Sequence, residues 1–280
     1  MEKPESDAAP TGFDLLARRL AALALQAGPA IMDIYGRCEA KSKSDGSPVT
    51  LADERAEAII KAGLAEIEPE TPVVAEEAVA GGAAMVCGAR FFLVDPLDGT
   101  REFLARNGEF TVNIALVVEG APVAGAVYAP AIDKLWFAGS VAYACKVGVG
   151  EALPDPASWR RISARSAPAS LVALASRSHA DPATEAFLAR LPIAERKSAG
   201  SSLKFCVLAE GEADIYPRFA PTMEWDTAAG EAVLRAAGGV VLQTDGSPFH
   251  YGKLDKGLKN GGFVAWGDPA KAVALNVRNS

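Results

Sequence analysis

Apolar residues at Leu16, Leu20, Leu23, Ala24, Ala27, Ile31 and Ile34 recur at three- and four-residue intervals, which places them on one face of a helix. The spacing predicts a long packing helix over residues 13–35. Residues 41–48 are polar, contain Asp45-Gly46 and Pro48, and read as a mobile loop. A second helix is expected to open at Thr50-Leu51-Ala52-Asp53 and to end near Glu68. Apolar runs of strand length follow at 71–75 and 91–95. Four β-rich segments then come at 111–119, 121–128, 134–138 and 142–147, punctuated by Gly, Pro and Asp as in an antiparallel meander. Residues 151–158 carry two prolines and mark a natural boundary. Beyond it the pattern alternates: strand 171–176, helix 181–191, helix 201–210, strand 213–216, helix 226–237 and strand 240–243. The organisation expected is a loose tail over 1–12, an α+β half with an antiparallel sheet over 13–150, and an α/β half over 151–280.

Composition narrows the chemistry. A chain of 280 residues that is 50% apolar can bury a large core in one domain or two closely packed ones. Its net charge of −7 argues against a nucleic-acid polymer as partner. The one dense basic patch, Arg160, Arg161 and Arg165, reads as a solvated face because no aromatic residues interleave for base stacking. Only His179 and His250 are available, so a histidine-rich zinc or iron site is not expected, and oxygen ligands favour magnesium. Cys38, Cys87, Cys145 and Cys206 are scattered singly, which fits small core hydrophobes in a reducing cytoplasm. No unbroken apolar run reaches the roughly 18 residues of a membrane span, so the expected location is cytoplasmic, free or peripheral at the inner membrane.

The run Phe91-Phe92-Leu93-Val94 ends in Asp95-Pro96-Leu97-Asp98-Gly99-Thr100. Pro96 fixes φ between two carboxylates, Gly99 can turn, and Thr100 stands where a helix could begin. Backbone N–H groups at Gly99, Thr100 and Arg101 could then face an anion beside the acids. Carboxylates alone repel a phosphate, but carboxylates holding divalent cations attract it. The same residues would also make an ordinary surface turn whose acids cap backbone donors. Asp53 is equally double-edged, as the acid of a capping box with Thr50 or as a carboxylate for a site. Of Glu76 and Glu77, extended-chain alternation would send only one toward that site. Asp226 could be an ordinary helix N-cap.

Three motifs in order settle these choices by likeness. Val73-Val74-Ala75-Glu76-Glu77, Asp95 to Thr100, and Glu224-Trp225-Asp226-Thr227-Ala228-Ala229-Gly230 together resemble the inositol monophosphatase superfamily of magnesium-dependent, lithium-sensitive phosphatases. Lys43-Ser44-Asp45-Gly46-Ser47-Pro48-Val49-Thr50, Arg106 to Asn113, Ser176-Arg177-Ser178-His179-Ala180-Asp181, Gly200-Ser201-Ser202-Leu203-Lys204-Phe205-Cys206 and Tyr216-Pro217-Arg218-Phe219 look like its CysQ type of 3′(2′),5′-bisphosphate nucleotidase. The match runs over residues 13–266.

That resemblance implies a layered αβαβα sandwich, mixed α+β and α/β, and two or three Mg2+ ions. Glu76, Asp95 and the Leu97 carbonyl would hold one ion, and Asp95, Asp98 and Asp226 another. Glu76, and Thr100 with Asp53, would handle the attacking water, and the Gly99 and Thr100 amides the scissile phosphate. His179, Ser201, Lys204 and Arg218 would contact the adenosine 5′-phosphate part. Lys204, Arg218 and a helix start at 200–202 are chemically suited to a second phosphate. The implied reaction removes the 3′-phosphate of 3′-phosphoadenosine 5′-phosphate (PAP), a by-product of sulfate assimilation, with 3′-phosphoadenylyl sulfate (PAPS) as a further substrate. Rival readings are a phosphatase of inositol monophosphate or fructose 1,6-bisphosphate, and a nucleotide-binding protein without turnover. Oligomeric state is left open.

Overall fold

The computed structural model describes residues 11–35, 41–42, 48–49, 51–175 and 181–272. It begins with α1 (Gly12–Ile34), capped reciprocally by Thr11 and Asp14: the Thr11 hydroxyl accepts from the Asp14 amide at 3.2 Å, and the Asp14 carboxylate accepts from the Thr11 amide at 2.7 Å. Two short strands, β1 (Lys41–Ser42) and β2 (Pro48–Val49), pair antiparallel where the sequence pattern predicts only loop. Then come α2 (Leu51–Ile67), β3 (Val73–Ala75), the single-turn α3 (Glu76–Ala80), β4 (Arg90–Asp98) and α4 (Thr100–Leu104). The meander is β5 (Thr111–Val118), β6 (Ala121–Ala129), β7 (Lys134–Ala138) and β8 (Ala142–Lys146), close to the expected bounds, and β9 (Arg160–Arg161) extends it by one more strand. The remainder is β10 (Leu171–Ala175), α5 (Pro182–Leu188), β11 (Ile193–Ser198), α6 (Leu203–Ala209), β12 (Ile215–Arg218), β13 (Thr222–Met223), α7 (Ala228–Ala236), β14 (Val240–Gln243), β15 (Lys259–Asn260) and β16 (Phe263–Trp266).

Seven strands form one sheet in sequence order, β3 to β9, antiparallel except for β3 beside β4. Its strands are apolar on both faces because both are covered. Phe92, Val94, Ile114 and Leu116 pack with Leu20, Ala24 and Ile31 of α1. Their alternates Phe91, Leu93, Ala115 and Val117 pack with Ala228, Ala229 and Val233 of α7. The second sheet has the order β11-β10-β12-β16-β14, with β10 parallel to both neighbours and β16 antiparallel to both of its own. One face meets α6 and α7 through Leu174, Tyr216, Val241 and Phe263. The other packs Leu171, Ala173, Ile215 and Trp266 with Leu188 of α5. The layers run α1/α2, seven strands, α6/α7, five strands, α5: the αβαβα sandwich.

Two elements have no clear sequence pattern. β11 reads Ile-Ala-Glu-Arg-Lys-Ser and is exposed along most of its length, so it offers no apolar alternation. β16 is four buried residues, Phe-Val-Ala-Trp, too short to signal a period. Among the described residues α1 is the one helix long and apolar enough, by length and composition, to span a membrane. Leu20, Ala21, Ala24, Ala27 and Ile31 of that helix are fully buried inside the sandwich.

Candidate active site

Strand pairing assembles the acids. Ala75 at the end of β3 lies opposite Val94 in a parallel register, so the next residue, Glu76, comes level with Asp95. Contrary to the expectation of an extended chain through Glu77, α3 begins at Glu76, and it is the helical turn that separates the two glutamates. Glu57, buried on α2 one turn beyond Asp53, accepts the Glu77 amide at 2.7 Å and so ties the start of α3 to α2.

Asp95 and Asp98 stand three apart on β4, a spacing that regular pleating would send to opposite faces. Asp95 pairs with Asn113 and Asp98 with Thr111, so three steps on β4 match two on β5. This is a β-bulge. It sits at Pro96, which has no N–H to give to the ladder. The Leu97 amide donates to Asp95 Oδ1 at 3.0 Å within it. Gly99 follows with φ of 92°, a conformation that suits glycine, and α4 starts at Thr100 as expected. Thr100 Oγ1 donates to the Leu97 carbonyl at 3.4 Å.

Asp226 lies in the turn between β13 and α7, ahead of the helix rather than in its first turn, and its Oδ2 accepts the Met223 amide at 2.9 Å. The N-cap is Thr227, without a side-chain bond. A buried net holds this turn: Asn260 Nδ2 donates to Thr227 Oγ1 at 3.0 Å and to the Met223 carbonyl at 3.1 Å, and Tyr251 Oη reaches Thr227 Oγ1 at 3.1 Å and Glu231 Oε2 at 2.6 Å. Glu224 of the same motif is fully buried and accepts the Gly252 and Lys253 amides and the Lys253 ammonium, a structural role.

The result is a cavity of about 290 Å³ lined by Glu76, Asp95, Leu97, Asp98, Gly99, Thr100, Ser201, Lys204, Arg218 and Asp226, together with Glu102, Tyr216 and Thr222. Every site residue read from the sequence lies in its wall except Asp53 and His179. Asp53 is buried and close enough for its charge to act on Asp95. His179 falls outside the described residues, as do Thr50 and Lys43.

Charge in this pocket is unbalanced. Burial, then Glu76, Asp98, Asp226 and Asp53, push the Asp95 carboxyl far above the ordinary carboxylate range. Burial, then Asp98 and Glu76, push Asp226 up, against a smaller pull from the Met223 amide and Arg218. In the same cavity, burial disfavours charge on Arg218, but Tyr216, Asp226 and Asp98 hold its proton more firmly, and its buried Nε has no hydrogen-bond partner. Burial lowers the Lys204 ammonium to about 8, and its Nζ donates to the carbonyls of Ala199 at 3.0 Å and Ser201 at 2.7 Å. Lys204 thus holds the 199–201 loop.

The helix start at 200–202 has other partners than the second phosphate expected of it. α6 begins only at Leu203, the Ser202 amide donates to Asp98 Oδ2 at 2.7 Å, and the Gly200 amide donates to Glu109 Oε2 at 2.8 Å. Carboxylates of the protein occupy the donors an anion would need. Ser201, at φ of 52°, donates from Oγ to Asp98 Oδ2 at 2.5 Å and bonds Thr111 Oγ1, while Ser202 Oγ donates to Asn113 Oδ1 at 2.7 Å. Sequence reasoning missed Thr111, Asn113 and Glu109 in these roles. Their one signal is position, on or next to β5, the strand that pairs with β4.

The sequence profile of the inositol monophosphatase family matches residues 15–271. The chain belongs to the inositol monophosphatase family. Within it, the chain is 44% identical over 243 residues to the 3′(2′),5′-bisphosphate nucleotidase CysQ of Escherichia coli (strain K12), covering 85% of this chain and 95% of that protein. It is 40% identical over 253 residues to the protein of the same name from Buchnera aphidicola subsp. Acyrthosiphon pisum (strain APS), covering 88% and 92%. Among solved structures, the crystal structure of CysQ from Bacteroides thetaiotaomicron, a bacterial inositol monophosphatase-family member, superposes with a TM-score of 0.76 at 42% identity, covering 91% of this chain and 98% of that one.

Proposed function

We infer that the chain is a phosphomonoesterase that removes the 3′-phosphate of PAP to give AMP and phosphate. The observation that carries this reading is a single pocket lined by four mutually repelling carboxylates and by Arg218, whose buried Nε has no hydrogen-bond partner, in a chain 44% identical to named bisphosphate nucleotidases.

The acids fit Mg2+ by donor type and by charge. All are oxygen ligands; burial and then mutual repulsion drive Asp95 and Asp226 to bind protons, and that repulsion is what divalent cations relieve. Among the described residues, the hydrogen bonds of Asp95, Asp98 and Asp226 each engage one carboxylate oxygen and leave the other. Among the described residues no three acids already converge on one point, so ions would complete the cluster rather than drop into a finished cage. Glu76, Asp95 and the Leu97 carbonyl would hold one ion and Asp95, Asp98 and Asp226 a second. When bound, magnesium neutralises phosphate oxygens and makes water easier to deprotonate.

The chain's own groups do the rest. Glu76 accepts the proton of the attacking water. Thr100 Oγ1 and Asp53 orient that water. The first amides of α4 face the phosphate oxygens, and Arg218 donates to the phosphate that is not cleaved. In-line attack breaks the P–O3′ bond, and the departing 3′-oxygen takes up a proton. Ser201 and Lys204 act by fixing the 199–202 loop against Asp98.

The test is magnesium-dependent phosphate release from PAP and PAPS beside inositol 1-phosphate and fructose 1,6-bisphosphate at matched concentrations, with and without lithium. Preference for the 3′-phosphonucleotides is expected. Preference for a sugar or inositol phosphate would refute the nucleotide assignment. Nucleotide binding without release from any of them would refute turnover.

A further inference from the structure

A second cavity, of about 510 Å³, lies at the β7–β8–β9 edge of the large sheet and shares no residue with the active-site pocket. Register puts its cations on one face. Lys134 of β7 stands directly opposite Lys146 of β8, Trp136 opposite Ala144, and Ala144 opposite Arg160 of β9. By pleating, these five side chains share a face. Like charges directly opposite one another destabilise a sheet, so the Lys134–Lys146 pair calls for a compensating anion.

The protein provides only part of it. Glu210, nearly buried at the end of α6, takes Arg160 and also Lys134 at 3.8 Å. Glu212 in the wall brings the acids to two against three cations, and among the described residues Lys146 forms no ion pair. The cavity wall also includes Trp136, only 2% exposed, whose indole Nε1–H is buried without an acceptor. A buried N–H left without an acceptor is uncommon in a folded protein and asks for an explanation.

We propose that this cavity is a second, non-catalytic binding site for a tetrahedral oxyanion, the phosphate or sulfate group of a small molecule. Lys146, Lys134 and Arg160 supply charge and the Trp136 indole supplies one directional donor. Cavity volume well above that of a bare ion leaves room for an organic body against Trp136 and Ala144.

The indole N–H is its own reporter. In 15N-labelled full-length protein, the Trp136 indole resonance is the one lost in Trp136→Phe. It should shift saturably on titration with inorganic phosphate or sulfate. In Lys146→Ala, whose altered side chain is exposed, the midpoint should rise roughly tenfold, the loss of one charge-assisted contact. An AMP arm distinguishes the sources: tighter binding than phosphate assigns the group to a nucleotide-sized molecule, and equal binding assigns it to the free ion. An indole that stays unmoved by all three at tens of millimolar, or a shift with the same midpoint in Lys146→Ala, overturns the proposal. If Trp136→Phe fails to fold, all four indole resonances are followed, and the absence of any that shifts saturably and loses affinity in Lys146→Ala overturns the proposal.

Discussion

Replacing Glu231 by Gln should make the protein more stable, and only above acid pH. Glu231 is 1% exposed on α7, and burial pushes its carboxyl from 4.5 up to about 7. Tyr251, Arg235 at 3.5 Å and the more distant Lys253 pull the other way without matching the burial. The Tyr251 hydroxyl donates to Glu231 Oε2 at 2.6 Å, but one neutral donor and a guanidinium at 3.5 Å do not replace the solvent that a buried carboxylate loses, so the neutral form is preferred.

With the folded value raised above the unfolded one, stability is fully present below pH 4.5 and is lost as pH rises to about 7. The span corresponds to about 3 kcal/mol. Gln keeps the shape, can accept from Tyr251 through its amide oxygen, and cannot ionise. Urea unfolding of both proteins from pH 4.5 to 8 should therefore show stabilities that agree at the acid end and diverge, the variant ahead by about 2–3 kcal/mol at pH 8. Parallel curves over that range would refute the claim that a neutral Glu231 belongs to the folded state.

Asp95→Asn should lower turnover by about 10²-fold or more. It should also leave the thermal midpoint in chelator unchanged or raised, because it removes one charge from a repelling cluster. Arg218→Ala should raise KM for PAP by about 10–100-fold with a smaller effect on kcat, and Arg218→Lys should recover part of the loss. Gly200→Ala would place a Cβ 2.6 Å from the Glu109 carbonyl oxygen and 2.8 Å from its Cβ; a loss of about 1–3 kcal/mol in denaturant melts, with a raised KM, is expected.

The meander was legible in the sequence as short apolar runs broken by turn residues, the long first helix as an apolar period, and the acid motifs by their order and likeness to a family. The run from Ile114 to Val118 is apolar at every position since helices cover both faces of its sheet, and that marks a buried strand. What escaped was written in pairings. Nothing in Ile193 to Ser198 distinguishes an exposed edge strand from a loop, as the partner that makes it a strand is β10. Likewise the role of Asp98 in holding Ser201 and Ser202 spans about a hundred residues. The anion-binding helix start expected there was overruled by a carboxylate from the other sheet.

The bulge at Pro96 carries a consequence for how this chain can change. Asp95 and Asp98 look into one pocket only because the count of residues between them on β4 exceeds the count on β5 by one. Parity, rather than side-chain identity, is what the motif protects. The residues at 96 and 97 could be exchanged and the two aspartates would still meet, whereas adding one residue to β5 between Thr111 and Asn113 evens the count at three steps each and, by regular pleating, turns Asp98 toward the α1 side of the sheet. Such an insertion would lengthen β5 by a single step, and it would put a carboxylate among Leu97, Phe103 and Phe110 instead of in the pocket that Arg218 lines.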